Sequence, residues 1–321
     1  MERRVVITGL GVVAPNGVGL DAFTNAIKSG TSGIRFDQQL ADLNFSCQIT
    51  GKPELSESKI SGYFFDLELR NFNSTGILYG VIAAMDAWAD AGLKTDDEPD
   101  WDSGTIFGTG TSGIEKFRES IYKIDNLETR KLGSTAVAQT MNSGVSAYIG
   151  GKLGLGNQVT TNSSACTTGT ESILMAFERV KSGKAVRILA GSTSDSGPYI
   201  WGGFDAMKVC TFKHNDWPEK GSRPMSASAS GFVPGSGAGA LVIEEMESAL
   251  KRGAKIYCEI LGGNINSGGQ RGEGTMTAPN SMAVQKCIKQ AIFESGVLPE
   301  EIDYINGHLT ATSKDSLEIK N

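Results

Sequence analysis

A cysteine in a run of small residues is the first candidate for chemistry. Cys166 lies within residues 162–170, where its neighbours are Asn, Ser, Ala, Thr and Gly. The spacing predicts a position at the first turn of a helix, where backbone N–H groups and the helix dipole favour thiolate over thiol. The small neighbours leave room for a substrate carbonyl, and Gly169 permits close packing behind the helix. The pattern predicts a nucleophile, with a buried structural thiol as the alternative.

Two histidines are the only imidazoles in the sequence, which excludes mechanisms that need several histidines from this chain. His308 follows a predicted strand, where loops of α/β proteins often present functional side chains. The alternative is that it hydrogen-bonds within its own loop. His214 lies in a polar run, and we predict a solvated loop residue with no role.

Two glycine-rich segments resemble nucleotide-binding motifs but do not fit them. Residues 9–14 match the form G-x-G-x-x-A, yet Pro15 and Asn16 interrupt the helix that a pyrophosphate needs. Residues 231–239 lack the Lys-Ser/Thr ending of a phosphate loop. We predict a close backbone crossing into a central strand for this second segment.

Composition and charge narrow the class of protein. With 39% hydrophobic and 21% charged residues, the chain has ordinary globular composition, which excludes a disordered or fibrous protein. The net charge is −6 and no cluster of five Lys or Arg occurs, which argues against nucleic acid as a partner. No apolar run reaches the length of a membrane helix or signal-peptide core. We therefore predict a soluble, cytoplasmic protein with no membrane partner.

The cysteines are five in number and widely spaced, without a C-x-x-C pair. This arrangement fits neither a disulfide framework nor a zinc site, so we predict reduced thiols.

The elements that must position these residues alternate between strands and helices. We predict strands at 3–8, 104–107, 185–190, 238–243, 255–261 and 303–306, and helices at 21–29, 74–91, 167–181, 248–253 and 281–294. A glycine turn is predicted at 9–11, between the first strand and the first helix. The alternation predicts an α/β layered architecture with a largely buried mixed sheet.

Taken in order, six segments resemble the elongating β-ketoacyl-[acyl-carrier-protein] synthases, the type II ketosynthases of the thiolase-like superfamily. The segments are 3–11, 165–169, 231–239, 252–257, 276–279 and 302–308. The resemblance implies the thiolase-like layered α-β-α-β-α fold with duplicated halves. Residues 1–250 would form the N-terminal half with the nucleophile, and residues 251–321 the start of an incomplete C-terminal half with the histidine.

The resemblance also implies a reaction, the decarboxylative Claisen condensation of fatty-acid or related biosynthesis. Cys166 would accept an acyl group from an acyl-carrier-protein thioester, and a malonyl thioester would then be decarboxylated and attack it. His308 would stabilise the enolate or help decarboxylation by hydrogen bonding. Further positions match pantetheine contacts, Thr310 and Thr312, and acyl-pocket positions, Phe204 and Thr111. No cofactor is implied, and a homodimer is expected.

Two departures from the family pattern concern substrate and carrier. Leu309 stands where the family normally has glycine, which adds bulk beside the pantetheine tunnel. The basic helix that commonly receives the acidic carrier protein is poor, since residues 64–70 hold one Arg against two acids. Lys208, Lys213 and Arg223 are the alternative docking charges, or else ordinary solvated surface.

A third departure is the end of the chain at Asn321, before the family's invariant Lys, second histidine and Gly-Phe-Gly loop. We expect a C-terminally truncated ketosynthase that holds half of a catalytic site, with an open sheet edge. Asp315 and Glu318 match acidic positions that support the missing part, and Glu318 would lack its basic partner.

Two other functions stay open at this point. A chain-length-factor-like partner subunit shares the fold without condensing, but such subunits usually replace the cysteine that this chain retains. A coenzyme A-dependent thiolase relative would use a second cysteine near the C-terminus.

Overall fold

The computed structural model describes residues 3–268, 272, 274, 278 and 280–321. Of the matched segment 276–279, only Ala278 lies within them. The strands are β1 Val5–Ala14, β2 Gly17–Val18, β3 Ile34–Phe36, β4 Ile49–Gly51, β5 Ser103–Thr109, β6 Val159–Thr160, β7 Arg187–Ser194, β8 Gly237–Glu245 and β9 Cys258–Ile260. The α-helices are α1 Leu20–Ser29, α2 Gln38–Asp42, α3 Glu57–Ser61, α4 Thr75–Asp90, α5 Ile114–Asp125, α6 Ala136–Thr140, α7 Gly144–Leu153, α8 Thr168–Lys181, α9 Pro198–Ala206, α10 Met246–Lys251, α11 Ser281–Ser295 and α12 Asp315–Lys320. Short 3₁₀ turns span Thr129–Lys131, Ala165–Thr167, Pro218–Lys220 and Pro299–Glu301.

The chain forms two compact units, each made from separate stretches of sequence. The first, which we call the cysteine unit, comprises Met1–Arg35, Thr50–Gly203 and Gly235–Ile260. The second, the histidine unit, comprises Phe36–Ile49, Phe204–Pro234 and Leu261–Asn321. These groupings do not test the division at residue 250, which stays a prediction.

A mixed sheet forms the centre of the cysteine unit, as predicted. Its strand order is β2-β1-β8-β7-β5-β6, and β9 also pairs with β1. Strand β5 runs parallel to β6 and β7, whereas β8 runs antiparallel to β1 and β7. Strands β3 and β4 form a separate two-stranded sheet.

Alternating side chains on the central strands cover both faces of the main sheet. Phe107 and Leu189 pack with the apolar face of α4, in a cluster where both are fully buried. Their neighbours Ile106 and Ile188 point to the opposite face and pack in the cluster that contains Phe177 of α8. Because successive residues of a strand face opposite sides, these continuous apolar runs place helices on both faces of the sheet.

The predicted glycine turn at 9–11 is wrong, because β1 continues through it to Ala14. A Cβ added at Gly9 would lie 2.2 Å from the Ala87 carbonyl oxygen, and one at Gly11 would lie 1.9 Å from that of Ala83. The glycines therefore permit α4 to lie directly on β1, a tertiary requirement that the local sequence presents as a turn signal.

The predicted strand at 303–306 is also wrong, since no strand is assigned to these residues. Tyr304 and Ile305 are 79% and 81% exposed. A strand needs a hydrogen-bonded neighbour, and two β-forming residues in a short segment do not supply one. Within the described residues, no helix is both long and apolar enough to cross a membrane.

Candidate active site

Cys166 lies in the 3₁₀ turn Ala165–Thr167, between the end of β6 at Thr160 and the start of α8 at Thr168. Cys166 is exposed to solvent. Cys166 was predicted at the first turn of a helix, and the structure places it two residues before α8, in a short 3₁₀ turn. Since α8 begins two residues later, the positive end of its dipole lies beside the cysteine and favours negative charge there.

Hydrogen bonds from α8 fix the backbone that carries Cys166. The Thr168 hydroxyl accepts from the Ser164 N–H at 2.8 Å and donates to the Ala165 carbonyl at 2.7 Å. Ala165 itself has a φ of 48°. A left-handed conformation costs a non-glycine residue about 1–2 kcal/mol, so these contacts hold the cysteine in a strained turn.

Glu171, in the first turn of α8, anchors the segment before the cysteine. Its carboxylate accepts hydrogen bonds from the Ser164 hydroxyl and, at 3.2 Å, from the Asn162 side-chain amide. The Asn162 side-chain oxygen, Oδ1, accepts from the Ser172 hydroxyl at 2.7 Å. We did not single out Glu171 from the sequence, although an acid in a first helical turn is a capping signal.

Two glycines permit the close packing of this segment. A Cβ added at Gly108, in β5, would lie 2.2 Å from Thr168 Cγ2. One added at Gly169 would lie 2.7 Å from the Ser192 hydroxyl in β7. The role predicted for Gly169, close packing behind the nucleophile, agrees with this geometry.

Thr111 is exposed in the turn 110–113 that joins β5 to α5. This turn is tied to the cysteine segment by two hydrogen bonds. The Thr109 N–H donates to the Asn162 carbonyl at 3.2 Å, and the Ser163 hydroxyl donates to the Gly110 carbonyl at 3.4 Å. The structure thus brings together two of the segments singled out from the sequence.

His308 is an exposed residue of the loop 302–312 in the histidine unit. The Glu318 carboxylate accepts hydrogen bonds from the backbone N–H groups of His308 and, at 2.9 Å, Leu309. Glu318 was expected to lack its basic partner. In the structure its carboxylate binds the backbone of the histidine loop. Leu309 has a φ of 33°, so the residue that stands in place of glycine adopts a backbone that glycine favours.

Asp315 holds the following part of the same loop. It is 6% exposed, and its carboxylate accepts from the backbone N–H groups of Thr312 and Met225, both at 3.3 Å. The hydroxyls of Thr310 and Thr312 lie 3.1 Å apart. The two threonines predicted to contact pantetheine therefore form one polar pair.

Phe204, predicted in the acyl pocket, is 43% exposed. Its ring meets that of Phe232 edge-on, with centroids 5.5 Å apart. Both aromatic residues belong to the histidine unit. Such edge-to-face contacts orient the rings and add to their burial.

Three of the other thiols have raised pKa values. Burial raises the pKa of Cys47 to about 11 and that of Cys210 to about 12. Cys258 is exposed, and partial burial still raises the pKa of its thiol. Thiols with raised pKa values are poor nucleophiles at neutral pH.

The prediction that His214 is solvated is wrong. Both of its ring nitrogens are buried, and neither has a hydrogen-bond partner among the described residues. The polar sequence around it indicated a solvated loop, but the fold turns this ring inward. Within the described ranges, no three His, Cys, Asp or Glu side chains are grouped to hold a metal ion.

The layered fold with an exposed thiol at the start of α8 defines a class, the thiolase-like ketosynthases. A β-ketoacyl synthase from Burkholderia phymatum STM815 superposes with a TM-score of 0.88 at 28% identity, covering 99% of this chain and 76% of that one. A type II polyketide synthase acyl-carrier protein in complex with its ketosynthase bound to the hexaketide gives a TM-score of 0.85 at 26% identity, covering 100% of this chain and 77% of that one. The predicted fold class is confirmed.

The family models for the N-terminal and C-terminal domains of β-ketoacyl synthase match residues 2–249 and 257–321. The chain therefore belongs to the β-ketoacyl synthase family, as the resemblance predicted. The 3-oxoacyl-[acyl-carrier-protein] synthase 1 of Haemophilus influenzae is 32% identical over 311 residues, which cover 97% of this chain and 74% of that protein. This relationship confirms the predicted enzyme class, a condensing acyltransferase, over the non-condensing and thiolase alternatives.

Proposed function

We propose that this chain catalyses the decarboxylative condensation of a malonyl thioester with an acyl group bound to Cys166. The observation that carries the proposal is the exposed thiol at the start of α8, in a chain that matches both β-ketoacyl synthase domains. In the first half-reaction, Cys166 Sγ attacks the thioester carbonyl. A new carbon–sulfur bond forms, the bond to the carrier thiol breaks, and that thiol leaves with a proton.

The second half-reaction uses the acyl-cysteine. The malonyl thioester loses carbon dioxide, and the resulting enolate carbon attacks the acyl carbonyl. A carbon–carbon bond forms while the bond to Cys166 Sγ breaks, which regenerates the thiolate. His308 is proposed to donate a hydrogen bond to the enolate oxygen. Its backbone, held by Glu318, and the adjacent threonine pair support this role.

A mass measurement tests the first half-reaction. The protein is incubated with an acyl-carrier-protein thioester, and its intact mass is recorded. We expect one acyl adduct in the wild type, none in Cys166→Ala, and an unchanged adduct in Cys258→Ala, which removes another exposed thiol. An adduct that persists in Cys166→Ala would refute the proposal.

The second half-reaction is tested by separating acylation from condensation. We expect His308→Ala to keep the acyl adduct while release of carbon dioxide from the malonyl thioester falls by about 10²-fold or more. A variant that loses both activities equally, or neither, contradicts the role given to His308.

An acyl carrier protein is the proposed partner, as in the related ketosynthase that was solved with its carrier protein. Lys208 and Lys213 are exposed, whereas Arg223 is half-buried and donates to the Ser226 hydroxyl at 3.3 Å. We expect Lys208→Glu with Lys213→Glu to raise KM for carrier-protein thioesters but not for coenzyme A thioesters. Lys251→Glu, another exposed lysine, is the control. Equal effects on both substrates would argue against docking at these lysines.

A homodimer is proposed from the apolar surface of the cysteine unit. Helix α5 exposes Phe117, Ile121 and Tyr122, and Leu127 is exposed two residues after its end, with fractions between 49% and 94%. Strand β6 is also an edge of the main sheet. Exposed apolar patches and open sheet edges are common sites of association.

Light scattering tests the dimer. We expect a wild-type dimer that Ile121→Asp converts to monomer, while Ile27→Asp, at a comparably exposed isoleucine, leaves it intact. A wild-type monomer would refute this part of the proposal. The cytoplasmic location expected from the sequence stays a prediction.

A further inference from the structure

Asp195 is a buried carboxylate that the proposed reaction does not use. It directly follows β7 and is 2% exposed. One carboxylate oxygen accepts from the Gly76 N–H at the start of α4, and the other accepts from the Gly113 N–H just before α5. The hydroxyls of Ser74 and Thr75 each lie 3.4 Å from the first oxygen. One side chain therefore joins the ends of two helices to the end of a central strand.

The bond to Gly113 fixes one end of the turn that carries Thr111. Gly113 has a φ of 63°, and a Cβ there would lie 1.8 Å from the Gln139 carbonyl oxygen. This position therefore accepts only glycine, and its backbone has little freedom to move toward Gln139. The other end of the turn is bound to the cysteine segment through Thr109 and Ser163. Asp195 and the segment before Cys166 thus hold the turn from opposite ends.

The chemistry of the contact requires a carboxylate. Both oxygens of an ionised aspartate accept hydrogen bonds, whereas an asparagine presents one acceptor and one N–H₂ donor. The Ile114 N–H is a third backbone donor to this carboxylate. In Asp195→Asn, the N–H of either Gly76 or Gly113 would face a donor. A buried donor without an acceptor costs about 1–3 kcal/mol, which is enough to release one end of the turn.

We propose that Asp195 is a positioning residue that sets the distance between the Thr111 turn and Cys166, and so limits the length of the chain that Cys166 accepts. The claim that Asp195 limits the length of an acyl chain rests on the proposed function. The claim that Asp195 sets the space beside the Cys166 thiol is independent of that function. A residue that only stabilised the fold would change the amount of folded protein and not the preference of Cys166 for chain length.

The test uses N-alkyl iodoacetamides from methyl to dodecyl, with rates at each cysteine measured by peptide mass spectrometry. In folded Asp195→Asn, we expect the ratio of dodecyl to methyl rates at Cys166 to rise at least fivefold. The same ratio at Cys258 is the internal control and should not change. Asp100→Asn is the matched variant, since Asp100 also accepts a backbone N–H and a hydroxyl, before β5. It should leave the Cys166 ratio unchanged.

A milder pair of variants covers the case in which Asp195→Asn does not fold. Thr75→Val removes a hydroxyl donor to Asp195, and we expect a smaller rise of the same ratio. Thr75→Ser keeps the hydroxyl and should match the wild type. A ratio that stays constant or falls in every folded variant, or that rises equally in Asp100→Asn, overturns the inference.

Acyl-carrier-protein thioesters of short and long chains form the second arm. Asp195→Asn should favour the long chain in the same direction as the iodoacetamides. If the wild type accepts no acyl group at all, the proposed function fails, while the alkylation ratios still decide the role of Asp195.

Discussion

The cysteine and histidine segments are built in different ways. The residues on both sides of Cys166 pack against the main sheet, where Gly108 and Gly169 permit contacts that no larger residue would allow. The loop around His308 has an exposed backbone held by carboxylates, Glu318 and Asp315. Dense packing positions the proposed nucleophile, and ionic hydrogen bonds position the proposed enolate-stabilising group. The first should respond to changes of volume and the second to changes of charge or backbone freedom.

The largest expected effect is a volume change in the cysteine unit. Gly11→Ala places a Cβ against the backbone of α4, and we expect a loss of about 3 kcal/mol in the free energy of unfolding. Gly239→Ala is the matched control in the neighbouring strand β8, because a Cβ there meets no atom of the described residues within 4 Å. Urea unfolding measures both variants. Equal stability losses in the two variants would show that the close approach of α4 does not restrict the side-chain volume at Gly11.

A second effect concerns a buried charge in the same unit. The Glu244 side chain is fully buried between Arg252, at 2.6 Å, and Arg187, at 3.3 Å. Burial opposes ionisation, yet these arginines and the Ser248 hydroxyl hold the pKa of Glu244 below its ordinary value. Glu244→Gln leaves Arg252 without its carboxylate and leaves Arg187 with Asp100 alone, at 3.1 Å. We expect a loss of about 3 kcal/mol at neutral pH.

The lowered pKa of Glu244 fixes the sign of the pH dependence. Its contribution to stability is present above the unfolded pKa of about 4.3 and is lost as the pH falls through the lower folded value. Unfolding at several pH values should therefore show the difference between wild type and Glu244→Gln shrinking in acid. A difference that grew in acid would contradict the assigned contacts.

The histidine loop should lose less stability when one of its acids is removed. Glu318→Ala deletes the acceptor of two backbone N–H groups at a partly exposed site, and we expect a loss of about 1 kcal/mol. Hydrogen exchange should show faster exchange of the His308 and Leu309 amides, with the β1 amides as the control. Unchanged exchange at both loop amides would show that Glu318 does not hold the loop.

The smallest expected effect is a gain in stability. Leu309→Gly removes the steric cost of a positive φ, about 1–2 kcal/mol. The greater entropy of glycine in the unfolded chain offsets about 0.4–1 kcal/mol of this gain. We therefore expect a net stabilisation of about 0.5–1 kcal/mol by urea unfolding. Leu309→Ala retains a Cβ and should not gain. A gain in both variants would point to side-chain bulk rather than backbone strain.

Features that depend on local sequence were predictable. Cys166 was recognised from small neighbours and the helix that follows it. Helices α1 and α11 end beside Gly30 and Gly296, which take the left-handed conformation that their positions in the sequence predict. The six ordered segments that resemble the family predicted the thiolase-like fold and identified His308 as a candidate site residue.

Features that depend on distant partners were not predictable. Asp195 binds glycines 119 and 82 residues away, and nothing beside it in the sequence indicates either contact. Gly9 and Gly11 suggested a turn when only the local sequence was considered. Glycine is needed at these positions because the backbone of α4, far along the chain, lies against them. Residues 303–306 resembled a strand, but pairing depends on a neighbour rather than on the segment itself.

The pairing of β1 has a consequence for how the protein is made. Strand β1 hydrogen-bonds to β8 and β9, which begin at Gly237 and Cys258. At translation rates of roughly 5–20 residues per second, the first strand leaves the ribosome about 10–50 seconds before its partners. During that interval Val5 and Val6, both at most 1% exposed in the folded protein, have no sheet to join. The apolar side chains of β1 should therefore stay exposed until β8 and β9 emerge.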